Sequence, residues 1–146
     1  MPTMKTVKVS ATGPEKWAVK TQAGDHTLIV DQPESLGGEN KGPSPLDYVF
    51  IALAGCLVTI SKIVANQRKI NLRGVEVEVK GDINLAVLRG QEKDDRAGFQ
   101  NINVEMKIDA DLTPEEKREF VEEVDKRCPV SENLMNTTPL SINVVE

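Results

Sequence analysis

The stretch Ser44-Pro45-Leu46-Asp47-Tyr48-Val49-Phe50-Ile51-Ala52-Leu53-Ala54-Gly55-Cys56-Leu57-Val58 decides the fold. Ser44 supplies an N-cap, Pro45 takes the first helical position, where its missing N–H costs nothing, and Asp47 stands where a capping-box acid belongs. The pattern predicts a long helix running to about Lys69. Residues 48–61 carry no charge, and residues 62–69 are amphipathic. Apolar side chains on nearly every side of the first half mean that it is enclosed on most faces. One sheet covers one face only, so a second layer, from this chain or from a twin copy, has to cover the others. The uncharged run is short of the roughly 20 residues a membrane span needs and includes Gly55, Cys56 and Thr59, so no membrane is expected.

On the N-terminal side lies Gln32-Pro33-Glu34-Ser35-Leu36-Gly37-Gly38-Glu39-Asn40-Lys41-Gly42-Pro43, a connector that can be neither helix nor central strand. Before it, Val7, Val9 and Ala11, then Trp17, Val19 and Thr21, then Leu28 and Val30 alternate with polar residues. With turns at Thr12-Gly13-Pro14 and Ala23-Gly24-Asp25 they predict three short antiparallel strands. On the C-terminal side, Val75, Val77 and Val79 and then Ile102, Val104, Met106 and Ile108 mark two half-buried strands. Residues 85–100 between them are expected to extend the strands at their apolar ends around a charged loop centred on residues 89–98. Thr113-Pro114-Glu115-Glu116 is a second capping box, and Phe120, Val121, Val124 and Cys128 form the inward stripe of the helix it starts. Pro129 discourages helix at Cys128. Leu140, Ile142 and Val144 predict a last strand. The order βββ-α-ββ-α-β points to one α+β domain over residues 1–146 with a mixed or antiparallel sheet.

Composition excludes several function classes. Lys and Arg number 18 against 23 Asp and Glu, a net charge of −5, and the basic residues are interleaved with acids, as in Lys93-Asp94-Asp95-Arg96. A nucleic-acid partner requires a basic face. Aromatics make up 3% of the chain, too few for base-stacking platforms. The N-terminus lacks the charged start and apolar stretch of a signal peptide, so a cytoplasmic protein is expected. No Gly-rich loop leads from strand to helix as a phosphate cradle, so no nucleotide cofactor is expected. His26 is the only histidine, and neither cysteine has a ligand partner at metal spacing, so no metal is expected either. A hydrolase would have to use His26, which has no nucleophile elbow to serve.

The chemistry left is that of Cys56 and Cys128. In a reducing compartment two distant thiols are rarely a static bridge, which favours a couple in which one sulfur attacks and the other resolves. Against this, a buried cysteine in an apolar helix is usually an inert small hydrophobe. Lys126 and Arg127 beside Cys128 favour a thiolate, and the negative end of the helix opposes it. Phe50, Phe99, Phe120, Met106 and Met135 suit an apolar pocket, but suit core packing better.

The context of Cys56 quoted above, followed by Arg127-Cys128-Pro129-Val130-Ser131 and then Asn136-Thr137-Thr138-Pro139-Leu140, resembles the OsmC/Ohr family of thiol peroxidases. His26-Thr27-Leu28-Ile29-Val30-Asp31 and Gly42-Pro43-Ser44-Pro45 resemble its OsmC-like branch. The resemblance implies an intertwined homodimer whose cysteine-bearing helices pack centrally. It also implies a site at the subunit interface, a hydroperoxide substrate and a dithiol reductant. Cys56 would attack the peroxide to form a sulfenic acid, and Cys128 would condense with it to a disulfide. The family's peroxidases also use an N-terminal arginine and a carboxylate ten positions before the first cysteine. This chain has no arginine before Arg68 and has Leu46 at that carboxylate position. Lys16, Lys20 and Lys41 are the candidate cations, and Asp47 is the nearest acid. Nine residues at about 100° each set Asp47 on the helix face opposite Cys56 and roughly 13 Å along it, so contact requires another subunit's cysteine or a chain that leaves helical geometry. Capping needs nothing further. Three functions stay open: an organic hydroperoxide peroxidase, a non-catalytic dimer binding a small apolar ligand, and a thiol redox sensor.

Overall fold

A computed structural model describes residues 1–14 and 16–146, and the chain divides into two compact units, Met1–Val49 and Phe50–Glu146. In the first unit β1 (Ser10–Thr12), β2 (Val19–Ala23) and β3 (His26–Val30) form an antiparallel sheet in that order. Ser10 opposes Gln22, and Val19 opposes Val30. The β2–β3 hairpin turns through Gly24-Asp25, with Gly24 at φ 58, the left-handed setting such a tight turn asks for. The first strand was expected from Val7; it begins at Ser10, and Val7 and Val9 are exposed.

The connector closes on itself around Asp31. This buried carboxylate accepts the backbone N–H of Gln32 at 2.7 Å and of Lys41 at 3.1 Å, while the Asp31 N–H donates to Pro43 O at 3.1 Å. A Cβ at Gly42 would sit 2.2 Å from Ile29 O, so the loop's return past β3 requires glycine there. Helix α1 (Pro45–Gln67) follows, and its Tyr48 hydroxyl donates to Ile29 O at 2.8 Å.

In the second unit β4 (Gly74–Ile83) and β5 (Phe99–Asp109) pair antiparallel from Gly74↔Asp109 to Ile83↔Phe99, with an irregularity between Asp82 and Ile83. The junction differs from expectation. Residues 85–88 form one helical turn, α2 (Leu85–Leu88), because the Asn84 side chain caps it by accepting the Ala86 N–H. α3 (Pro114–Arg127) starts on the predicted capping box, with Thr113 and Glu116 bonded in both directions. The core gathers Leu53, Leu57, Val64 and Ala65 of α1 with Ile108, Ala110, Phe120, Val124 and Cys128.

Two further differences concern the C-terminus. α4 (Pro129–Met135) was not expected, and it starts directly after Cys128. The last strand of the predicted order does not form among the described residues: residues 137–146 have no strand partner there, although the Thr138 hydroxyl donates to Asn133 Oδ1 at 2.6 Å, and Leu140, Ile142 and Val144 are 85–94% exposed. A strand exists only where a partner edge accepts its N–H and C=O groups, and residues 137–146 lie against no such edge among the described residues. The α+β class and the antiparallel pairing hold.

Candidate functional site

Cys56 lies in the middle of α1, between the core-facing Leu53 and Leu57, half-buried and packed against the core cluster. Its position follows from helix geometry, because residues one and three positions away from it are the ones that point inward. Cys128 is the joint between two helices, serving as C-cap of α3 and N-cap of α4 at φ −81 and ψ 110. Pro129 forbids helical geometry at Cys128 and restarts a helix after it, so the sulfur is held at a fixed corner. Cys128 is 0% exposed.

The fold makes the two thiols neighbours in one core cluster, although they come from elements far apart in the chain. Burial pushes the Cys128 thiol up from its ordinary value, and the neighbouring Cys56 thiol pushes it the same way. The N–H groups of Ser131 and Val130 partly oppose that shift, Ser131 donating to the Cys128 sulfur at 3.4 Å. Arg127 is engaged with Gln67 at 2.8 Å and Glu123 at 3.2 Å, and neither it nor Lys126 is among the main causes of the Cys128 shift.

Asp47 sits at the start of α1, where its carboxylate accepts both the N–H and the hydroxyl of Ser44 at 2.9 Å and its own N–H returns to the Ser44 oxygen at 3.2 Å. These are the bonds of a helix cap. The lysines named as candidate cations do converge within the first unit. Lys16, Lys20 and Lys41 line one cavity of about 270 Å³ together with Glu39, whose carboxylate lies 3.7 Å from both Lys16 and Lys41. Phe50 and Phe99 stack on each other at 4.6 Å, Phe120 is fully buried, Met106 packs on the core and Met135 is 75% exposed. Among the described residues no group of His, Cys, Asp and Glu is placed to hold a metal ion.

Sequence reasoning missed Ser131 and Asp125. The Ser131 hydroxyl donates to the Asp125 carboxylate while its N–H holds the Cys128 sulfur. The spacing Asp125, Cys128, Ser131 was a readable signal, but only to a reader who already knew that a helix restarts at Pro129.

The sequence profile of the family described as OsmC-like protein matches residues 38–143. The hydroperoxide reductase of Mycoplasma genitalium is 28% identical over 106 residues, covering 73% of this chain and 72% of the relative. That of Mycoplasma pneumoniae is 28% identical over 104 residues, covering 71% and 70%. Among solved structures, an OsmC-like protein from Mycoplasma pneumoniae superposes with a TM-score of 0.78 at 22% identity, covering 91% of this chain and 89% of that one. An organic hydroperoxide resistance protein from Elizabethkingia anophelis superposes with a TM-score of 0.67 at 23% identity, covering 94% and 93%. The paired thiols therefore stand within a known architecture, and the chain belongs to the OsmC-like protein family.

Proposed function

We propose that this chain is a cytoplasmic, thiol-dependent peroxidase that reduces organic hydroperoxides, with Cys56 as peroxidatic nucleophile and Cys128 as resolving thiol. The observation that carries it is the meeting of the two sulfurs at the α1 and α3–α4 positions, one half-open and the other sealed. Relatives named hydroperoxide reductase support the same reading. The Cys56 thiolate attacks the terminal oxygen of ROOH; the O–O bond breaks, Cys56 becomes a sulfenic acid, and the alkoxide takes a proton to leave as ROH. The Cys128 thiolate then attacks the Cys56 sulfur; the S–S bond forms, the S–O bond breaks, and hydroxide leaves and is protonated to water. A dithiol of matching potential returns both sulfurs to thiols and leaves as a disulfide. No bound cofactor is needed. Lys16, Lys20 and Lys41, the candidate cations upstream of Arg68, are point charges rather than a bidentate fork. Asp47 acts first as the cap of α1.

The working unit is a homodimer. The outward face of α1, with Ile51 and Ile63 exposed and the small residues Ala52, Gly55 and Thr59 between them, is an apolar surface for a twin copy. β4 and β5 pair only with each other and so leave free edges, to which the unpaired tail of a second chain fits.

Thiol counting tests the activity. One equivalent of cumene hydroperoxide added to reduced protein should remove two thiols rapidly; Cys56→Ser should be inert, and Cys128→Ser should stop at a sulfenic acid. No loss over minutes removes the peroxidase and leaves the ligand-binding dimer.

A further inference from the structure

α3 and α4 are joined by one residue, and that residue is the proposed resolving cysteine. The end of α3 is well anchored: Phe120 and Val124 are fully buried, the hydrogen bond from Arg127 to Gln67 ties it to the last residue of α1, the helix that carries Cys56, and Arg68, just past that helix, bridges to Glu123. α4 is held by less: Ser131 is its one buried residue, and Val130, half-buried, is its one side chain packed against the core. What fixes the corner is a ring of three residues. The Asp125 carbonyl accepts the Cys128 N–H at 3.2 Å, the Asp125 carboxylate accepts the Ser131 hydroxyl, and the Ser131 N–H reaches the Cys128 sulfur at 3.4 Å.

We propose that Asp125 and Ser131 are positioning residues for disulfide closure, their side-chain bond holding the α3–α4 corner so that the Cys128 sulfur stays aimed at Cys56. The inference rests on the resolving role given to Cys128 above. The physical need is clear. Bond formation demands a sulfur separation of about 2.05 Å with a restricted dihedral angle, and a misplacement on the order of 1 Å costs about a hundredfold in a step of this kind. The chain offers little else to hold the corner. Pro129, which follows the thiol, has no N–H of its own with which to tie down the start of α4, and cysteine is not among the favoured N-caps. The same ring presents the Ser131 N–H to the sulfur, which favours the thiolate that has to attack.

Closure can be read without any peroxide. In a glutathione redox buffer the protein dithiol and oxidised glutathione exchange with the protein disulfide and two reduced glutathiones, and their ratio gives the effective concentration of one thiol at the other. The proposal expects Ser131→Ala and Asp125→Ala each to lower that value at least tenfold. The double variant should be no worse than either single, and Ser131→Thr, which keeps the hydroxyl, should stay within about threefold of the parent. With cumene hydroperoxide, loss of the first thiol should be unchanged, while closure slows and a dimedone adduct accumulates at Cys56. Equal effective concentrations in parent and both alanine variants overturn the proposal, as does failure of the parent to close at all. A serine effect that threonine does not rescue overturns it too, because it would mark a mere packing loss. A parent that closes in glutathione but ignores hydroperoxide removes the peroxidase and leaves the positioning role standing.

Discussion

Cys128 carries two demands that oppose each other. Its burial seals the sulfur from irreversible oxidation, and the same burial raises the thiol above its ordinary value and starves it of thiolate. Cys56, half-buried on α1, is the sulfur that a small reagent meets first. Alkylation of the native reduced chain with iodoacetamide at pH 7.5 is therefore expected to label Cys56 at least tenfold faster than Cys128, by peptide mass mapping, with the difference gone in urea. As pH rises past the ordinary thiol value of about 8.5, labelling of Cys128 should still lag, since its folded value lies higher. The linkage has a definite sign: the neutral buried thiol favours the folded state fully below that ordinary value, and this contribution is lost as pH climbs through the folded one. Labelling of both thiols at one rate in the native state would contradict the burial. Both cysteines could be found from the sequence because each sits in a distinctive local context. Their neighbours' roles were harder to read: Arg127 looked like a thiolate partner, but Gln67 and Glu123 claim it, and those contacts exist only after folding.

Helix starts were legible because their signals are local. The Thr113-Pro114-Glu115-Glu116 and Ser44-Pro45-Leu46-Asp47 boxes both form as written. Thr113→Ala should cost about 0.5–2 kcal/mol in urea unfolding through loss of the hydroxyl acceptor for the Glu116 N–H. α4 escaped notice because its cap is a sulfur, and the terminal strand was overread because alternation reports a face to bury without saying where the partner edge lies. The connector of residues 31–43 shows a further gap. Its glycines and prolines announced a loop, yet the buried Asp31 that closes it has no sequence signature. The Asp31 carboxyl is held below its usual value first by the Gln32 N–H and then by the Lys41 N–H. A depressed folded value contributes stability above the unfolded value of about 3.9 and loses it as pH falls through the folded one. Urea midpoints taken from pH 6 down to pH 3 should decline for the parent. They should decline less for Asp31→Asn, which starts lower. Asp95 and Glu116, lowered by their own hydrogen bonds, keep part of that acid limb in the variant. An unchanged slope in Asp31→Asn would place the loop's acid sensitivity elsewhere.

At the scale of the whole molecule the question is what covers the apolar surface that one chain leaves open. α1 is long and apolar enough, by length and composition, to cross a membrane, and only 28% of its most apolar window is buried within the chain. Its outward stripe, however, carries Gly55, Thr59 and Lys62 between Ile51 and Ile63 and Asn66 beyond them, a surface better matched to a twin helix than to lipid. The tail points the same way. Leu140, Ile142 and Val144 alternate as one face of a strand and stand exposed beside Val145 at 89%. A two-stranded ribbon such as β4–β5 is marginal alone and gains stability from a third strand. Burying each aliphatic side chain contributes about 1.5–3 kcal/mol, so Ile142→Glu with Val144→Glu should remove about 3–6 kcal/mol per docked tail from association, at least a hundredfold in dimer Kd. Sedimentation should find the parent at roughly twice the chain mass of 16.0 kDa and the double variant shifted toward one chain, with little change between low and high salt because the contact is apolar. A parent that stays at one chain mass across micromolar concentrations would mean that the tail and the α1 stripe await a different partner. A dimer untouched by the glutamates would restrict the contact to α1, to be tested next by Ile51→Glu.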